Sequence, residues 1–105
     1  MAEESGMIGP EVTTTFKRKQ KKFRFELKAP QAQKVALTGD FIGWSEQGIQ
    51  LKKGPNGVWD VEVNLPSGRY EYKFIVDKQW WTDPANNQTA ANSFGSLNSV
   101  KQLTV

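Results

Sequence analysis

Three tryptophans stand where an indole has no evident interior to fill. Trp44, Trp80 and Trp81 lie in or beside stretches of Gly, Ser, Gln, Thr and Asp. An exposed indole lowers solubility unless a partner covers it. A pyranose is one such partner. Its axial C–H bonds form a weakly positive, weakly apolar face that stacks on an electron-rich ring. The sugar hydroxyls then need directional partners, which Asn, Lys, Ser and Thr supply. Two other uses of loop tryptophans stay open at this point: plugs at the end of a core, and anchors of a protein interface. Trp80 and Trp81 are adjacent, so on an extended chain they point to opposite sides.

Other chemistries are narrowed by what is missing. The 105 residues contain no cysteine and no histidine. That removes disulfides, thiolate metal sites, the commonest zinc ligand and any Ser-His-Asp or Cys-His arrangement. Carboxylates or lysine alone still catalyse some reactions. Asp77 and Asp83 read as turn formers rather than a catalytic pair, because no apolar pocket accompanies either. We expect no enzyme activity, no cofactor and no metal.

The elements that must position the tryptophans are strands. Phe23, Phe25 and Leu27 alternate with Arg24 and Glu26, and Ala29-Pro30 ends that run. Val35 and Leu37 make a second strand, stopped at Gly39-Asp40. A loop carries Trp44, and a short strand covers Ile49 to Leu51 before the Gly54-Pro55-Asn56-Gly57 turn. Trp59, Val61, Val63 and Leu65 alternate with polar residues, which places Trp59 in the core. Pro66-Ser67-Gly68 predicts a tight turn and an antiparallel hairpin with the next strand. That strand puts Tyr70, Tyr72, Phe74 and Val76 on its core face, with Glu71, Lys73 and Ile75 on the other. Asp83 to Ser93 reads as a long polar loop, and Asn98 to Val105 as a closing strand. No helical period is present. Six or seven short strands predict an antiparallel all-β sandwich.

Residues 1–22 read as a flexible, basic tail and residues 23–105 as the domain. Lys17, Arg18, Lys19, Lys21 and Lys22 supply five of the 14 positive charges. Residues 23–105 hold nine cations and eight anions, a net charge of +1. A nucleic-acid partner is therefore not expected, because a dedicated binder shows a basic face on the domain itself. No stretch is long and apolar enough for a signal peptide core or a membrane span, so the cytoplasm is the default expectation.

Three segments resemble carbohydrate-binding module family 48. This is the glycogen-binding domain of the AMP-activated protein kinase β subunit and of branching enzymes and isoamylases. They are VALTGDFIGW (Val35 to Trp44), GRYEYKFIVDKQWWTDP (Gly68 to Pro84) and FGSLNSV (Phe94 to Val100), in the family's order. The resemblance implies an immunoglobulin-like, early-set sandwich that binds α-1,4-linked glucose chains. It implies Trp44 and Trp80 as stacking platforms, Lys73 as a hydroxyl donor and Asn98 as a bridge between adjacent hydroxyls. Phe94 stands where the family often has a leucine that rises through the curve of the glucan, and Ser96 where it often has threonine. Trp81 has no counterpart in the kinase domain and competes with Trp80 for the platform role. Ile42-Gly43 replaces two asparagines there. Asn86, Asn87 and Asn92 read as loop residues, one of which touches sugar.

The reading that follows is a non-catalytic α-glucan module, free-standing or cut from a glucan-active enzyme. A kinase or a glucan-metabolising enzyme is the implied partner. The alternative is a protein-interaction domain of the same fold with a weak or lost sugar site. A third reading, an anionic-surface binder working through Lys17 to Lys22, predicts steep salt dependence.

Overall fold

The computed structural model describes residues 19–105. Residues 1–18, most of the expected tail, lie outside the described residues. Nine strands follow in order: β1 Gln20–Lys28, β2 Val35–Gly39, β3 Ile49–Gln50, β4 Lys52–Lys53, β5 Val58–Pro66, β6 Gly68–Val76, β7 Gln79–Trp81, β8 Thr89–Ala91 and β9 Leu97–Leu103. Two antiparallel sheets result, one of order β1-β5-β4 and one of order β3-β2-β6-β9-β8, with β7 also on β6. β1 begins three residues ahead of Phe23. Lys21 and Lys22 pair with Leu65 and Asn64, because ladder hydrogen bonds continue where side chains face water.

The period-two pattern becomes the core. Phe25 and Leu27 from one sheet meet Leu37, Tyr72, Phe74 and Val76 from the other. Phe25 packs edge-on against Tyr72, with ring centroids 5.2 Å apart. Trp59 is buried as expected, and its Nε1 donates to the Ala29 carbonyl at 2.9 Å. Each fully buried apolar side chain of this size contributes about 1.5–3 kcal/mol.

The expected hairpin between β5 and β6 does not form. β5 pairs β1 and β4, and β6 pairs β2, β7 and β9. Only Ser67 separates the two strands, and no residue from Pro66 to Gly68 takes the positive φ that primed hairpin turns require. The chain therefore crosses from one sheet to the other, and Leu65 and Tyr72 enter the same core. The short strand expected at Ile49–Leu51 also divides. Ile49–Gln50 pairs β2, Lys52–Lys53 pairs β5, and Leu51 is buried at the crossing. The expected loop at Asp83–Ser93 contains β8, whose Thr-Ala-Ala carries no alternation and is extended only by pairing with β9.

β6 is locked to the loop after β7. The Tyr72 hydroxyl donates to Asp83 Oδ2 at 2.6 Å, and Ser99 Oγ accepts from the Asp83 N–H at 2.7 Å. Asn86 Nδ2 donates to the Tyr72 hydroxyl and to the Val100 carbonyl. Burial, and then the Asp83 carboxylate, push the Tyr72 phenol well above its ordinary range. Asp83 also accepts from the Ala85 N–H, the Asx turn that its position predicts.

Candidate functional site

Trp44 is set by a loop built for an unusual backbone. Asp40–Ile42 form one 3₁₀ turn, then Gly43 and Trp44 both adopt left-handed conformations, φ 63° and 58°. For a bulky side chain that conformation costs about 1–3 kcal/mol and persists only when neighbours over-determine it. Here they do. The Trp44 N–H donates to the Gly39 carbonyl at 2.9 Å. Thr38 Oγ1 donates to the Ser45 carbonyl at 2.7 Å, and Ser45 Oγ accepts from the N–H groups of Gln47 and Gly48. Asp40 Oδ2 accepts from the Glu71 N–H, tying the loop to β6. Gly39 has no room for a side chain, since a Cβ there would sit 2.5 Å from the Glu71 carbonyl oxygen.

Strand register places the other aromatics. Trp80 stands opposite Ile75, on the outer face of the larger sheet, and is 44% exposed. Trp81 stands opposite Phe74, on the other face, and is 37% exposed. Phe94 projects from the β8–β9 turn and is 90% exposed. Lys73 lies on the outer face of β6 yet is only 8% exposed, so it is not the solvated lysine that its alternation alone allows.

Trp44, Lys73, Trp80, Phe94, Ser96 and Asn98, scattered over 55 residues of sequence, line one groove of about 580 Å³ together with Glu46, Asn92 and Ser93. Trp81 is not part of its wall.

The floor of the groove is one hydrogen-bonded chain. Lys73 Nζ donates to Ser96 Oγ at 3.2 Å, and Asn92 Nδ2 donates to the same oxygen at 2.8 Å. Asn92 Nδ2 also donates to Asn98 Oδ1 at 3.0 Å. Asn98 Nδ2 donates to Glu71 Oε1 at 2.9 Å, and Arg69 bonds the other Glu71 oxygen at 2.8 Å. The Asn98 amide, and then the Arg69 guanidinium, hold the Glu71 carboxyl below its ordinary value. Both Ser96 lone pairs accept, so its O–H remains to donate; Lys73 keeps N–H donors; the Asn98 amide keeps one N–H and one lone pair. A pyranose edge, with alternating donors and acceptors, matches that set.

Asn92 is the residue that sequence reasoning did not single out from its neighbours. Its Oδ1 accepts from the N–H groups of Phe94 and Ser96, and its N–H donates to the Ser96 carbonyl. It shapes the turn that presents Phe94. The signal was the spacing Asn92-Ser-Phe-Gly95-Ser96, an Asx residue three before a glycine that takes φ 81°. Asn86 serves the Tyr72 network instead.

Comparisons with known proteins bear on the same residues. Residues 13–104 match the family described as the glycogen recognition site of AMP-activated protein kinase. Protein PTST homolog 2, chloroplastic, from Arabidopsis thaliana is 53% identical over 53 residues, covering 50% of this chain and 10% of that protein. Protein FLOURY ENDOSPERM 6, chloroplastic, from Oryza sativa subsp. japonica is 43% identical over 73 residues, covering 70% and 13%. The 5'-AMP-activated protein kinase subunit beta-1 of Sus scrofa is 33% identical over 69 residues, covering 66% and 53%. The chain thus spans about a tenth of the length of the two plant relatives and about half of the porcine subunit. With the match running through both sheets and all the groove's strands, the chain belongs to the glycogen-binding module family typified by the glycogen recognition site of AMP-activated protein kinase.

Proposed function

We propose that the groove binds an α-1,4-glucan chain, with Trp44 and Trp80 as stacking platforms. The observation that carries this is the convergence of two tryptophans, Phe94 and a donor-acceptor floor in one groove. Lys73, Ser96 and Asn98 read the hydroxyls, and Phe94 packs inside the curve of the chain. Trp80 takes the platform role over Trp81 because it shares the groove's face. Among the described residues, Glu46 is the carboxylate on the groove wall and Glu71 in its floor is held by Asn98 and Arg69, whereas glycoside hydrolysis uses a pair flanking the scissile bond. That supports a non-catalytic role. A groove this open and neutral fits weak binding, about −4 to −8 kcal/mol, in the micromolar to millimolar range.

The biological role we infer is to hold a host protein, or an associated kinase or glucan-metabolising enzyme, on storage polysaccharide. Residues 1–19 would serve as a tether to the domain, which begins with β1 at Gln20. No described helix is long and apolar enough to cross a membrane. The cytoplasm remains the compartment proposed for the glycogen setting; a plastid suits the setting of the two relatives named chloroplastic.

The test is a titration of tryptophan fluorescence with maltoheptaose, with cellohexaose as control. A saturable change with the α-linked sugar alone, unchanged between low and high salt, is the expected result. No response to either sugar removes the glucan reading and favours a protein-interaction role for the same exposed aromatics.

A further inference from the structure

Trp80 lines two grooves rather than one. Past it, on the same face, lies a second groove of about 1090 Å³ whose rim includes Gln33, Gln47, Gln50 and Lys78. Strand register explains its shape. One rung across β3, β2, β6 and β7 reads Gln50, Ala36, Ile75, Trp80. Paired residues share a face, so all four side chains point outward. Across three strand spacings the Gln50 and Trp80 backbones stand about 14 Å apart. Only Ala36 and Ile75 lie between them, which leaves a trough with an apolar floor, an indole wall and an amide wall. Glu46 and Trp80 border both grooves, so the two are continuous.

The far rim is built rather than incidental. Asp77 and Lys78 take φ 47° and 72°, the two left-handed residues of a tight β6–β7 hairpin. The Asp77 carboxylate accepts from the Gln33 N–H at 3.0 Å and the Lys34 N–H at 2.9 Å, and the Asp77 N–H donates to the Lys34 carbonyl. Asp77 therefore clamps the β1–β2 connection beside the hairpin rather than capping its own turn, and so positions Gln33. Among the described residues, the side-chain amides of Gln33 and Gln47 make no hydrogen bond to protein, and Gln50 makes one, to the Gln47 carbonyl. The groove's two lysines, Lys34 and Lys78, are balanced by Glu46 and Asp77. Unengaged amides over an apolar floor, without net charge, suit a neutral polyhydroxyl ligand rather than an anion.

We propose that this second groove is an extension subsite for the same α-glucan chain, so that chains long enough to pass Trp80 are held along both grooves. The inference rests on the glucan-binding reading of the first groove. The test compares β-cyclodextrin, a closed ring that cannot extend, with linear maltodecaose. Both are titrated calorimetrically into the wild-type protein and into a Gln33→Ala, Gln50→Ala double variant. Losing two hydrogen bonds predicts roughly tenfold weaker maltodecaose binding and less than twofold change for β-cyclodextrin. Equal losses on both sugars, or none on either, overturn the extension and leave the first groove standing. Failure of both sugars to bind the wild type overturns the first-groove reading, and the extension with it. A second readout needs no variant: the side-chain amide resonances of Gln33, Gln47 and Gln50 should shift with maltodecaose and stay in place with β-cyclodextrin. If those resonances stay in place with both, the extension is wrong.

Discussion

Replacing Trp80 and Trp81 separately by alanine isolates the proposed platform from its neighbour. Trp80 exposes 44% of its surface, close to Trp81 at 37%, so exposure alone predicts similar effects. Register predicts different ones, because only Trp80 shares a face with Lys73 and lines the groove. An indole has up to about 250 Å² to bury, so its exposed part is roughly 110 Å². A sugar ring that covers half of this, and loses an equal area of its own, removes about 100 Å² from water. At about 25 cal/mol per Å² that is about 2.5 kcal/mol, or roughly 70-fold in Kd. The stability cost is not small, since more than half of each indole is covered in the fold, and losing roughly 140–160 Å² of burial costs up to about 3–4 kcal/mol. Calorimetry with maltoheptaose, paired with thermal unfolding, reads both quantities. Trp80→Ala should lose roughly 70-fold in affinity, measured where it is folded, and roughly ten degrees or more in Tm. Trp81→Ala should lose at least as much in Tm and bind normally at a temperature where it is folded. Near-normal binding by Trp80→Ala, or equal losses in the two variants, would refute the assignment by face.

Three further outcomes follow from the hydrogen-bonded floor and the network beneath it. Asn92→Ala frees the Phe94 and Ser96 N–H groups and releases the Asn98 amide, so maltoheptaose affinity should fall about tenfold in a folded protein. Normal binding by this variant would show that the turn holds its shape without Asn92. The depressed Glu71 carboxyl gives the pH dependence its sign. Its support of Asn98 is complete above the ordinary glutamate value and is lost as pH falls through the lowered one. Affinity should stay flat from pH 8 to 5 and weaken only below 4.5, the ordinary value, with Glu71→Gln removing the acid limb. Tyr72→Phe leaves the buried Asp83 carboxylate short of a donor, which costs about 1–3 kcal/mol. Each kcal/mol lowers Tm by about 4–8 °C. Sugar binding by Tyr72→Phe should persist, and unaltered Tm would show that Asn86 and Ser99 satisfy the site alone.

The faces of the strands were legible because alternation is a local property. Period two along Trp59–Leu65 and Tyr70–Val76 assigns each side chain to core or surface with no knowledge of the partner strand. The same holds for the turns at Gly54–Gly57 and Asp77–Lys78, where Asn56, Gly57 and Asp77 are of types that tolerate left-handed backbone. The resemblance to a glycogen-binding module added the list of groove residues, and the structure brings all six principal ones together.

Pairing was not legible in the same way. A proline-serine-glycine junction reads as a hairpin turn, yet whether the chain folds back or crosses between sheets depends on the strands already waiting on each side. β8 is a strand only because β9 offers it an edge. Adjacency in sequence determined that Trp80 and Trp81 face opposite ways; only the register Ile75↔Trp80 decided which one looks onto the groove. Lys73 was assigned to the outer face by alternation, but its burial comes from groove residues that lie far along the chain. By itself, then, the sequence determined side-chain facing along the longer strands and the family. The tertiary structure decided neighbours, burial and the continuity of the two grooves, because those depend on hydrogen bonds and contacts between segments that no local pattern links.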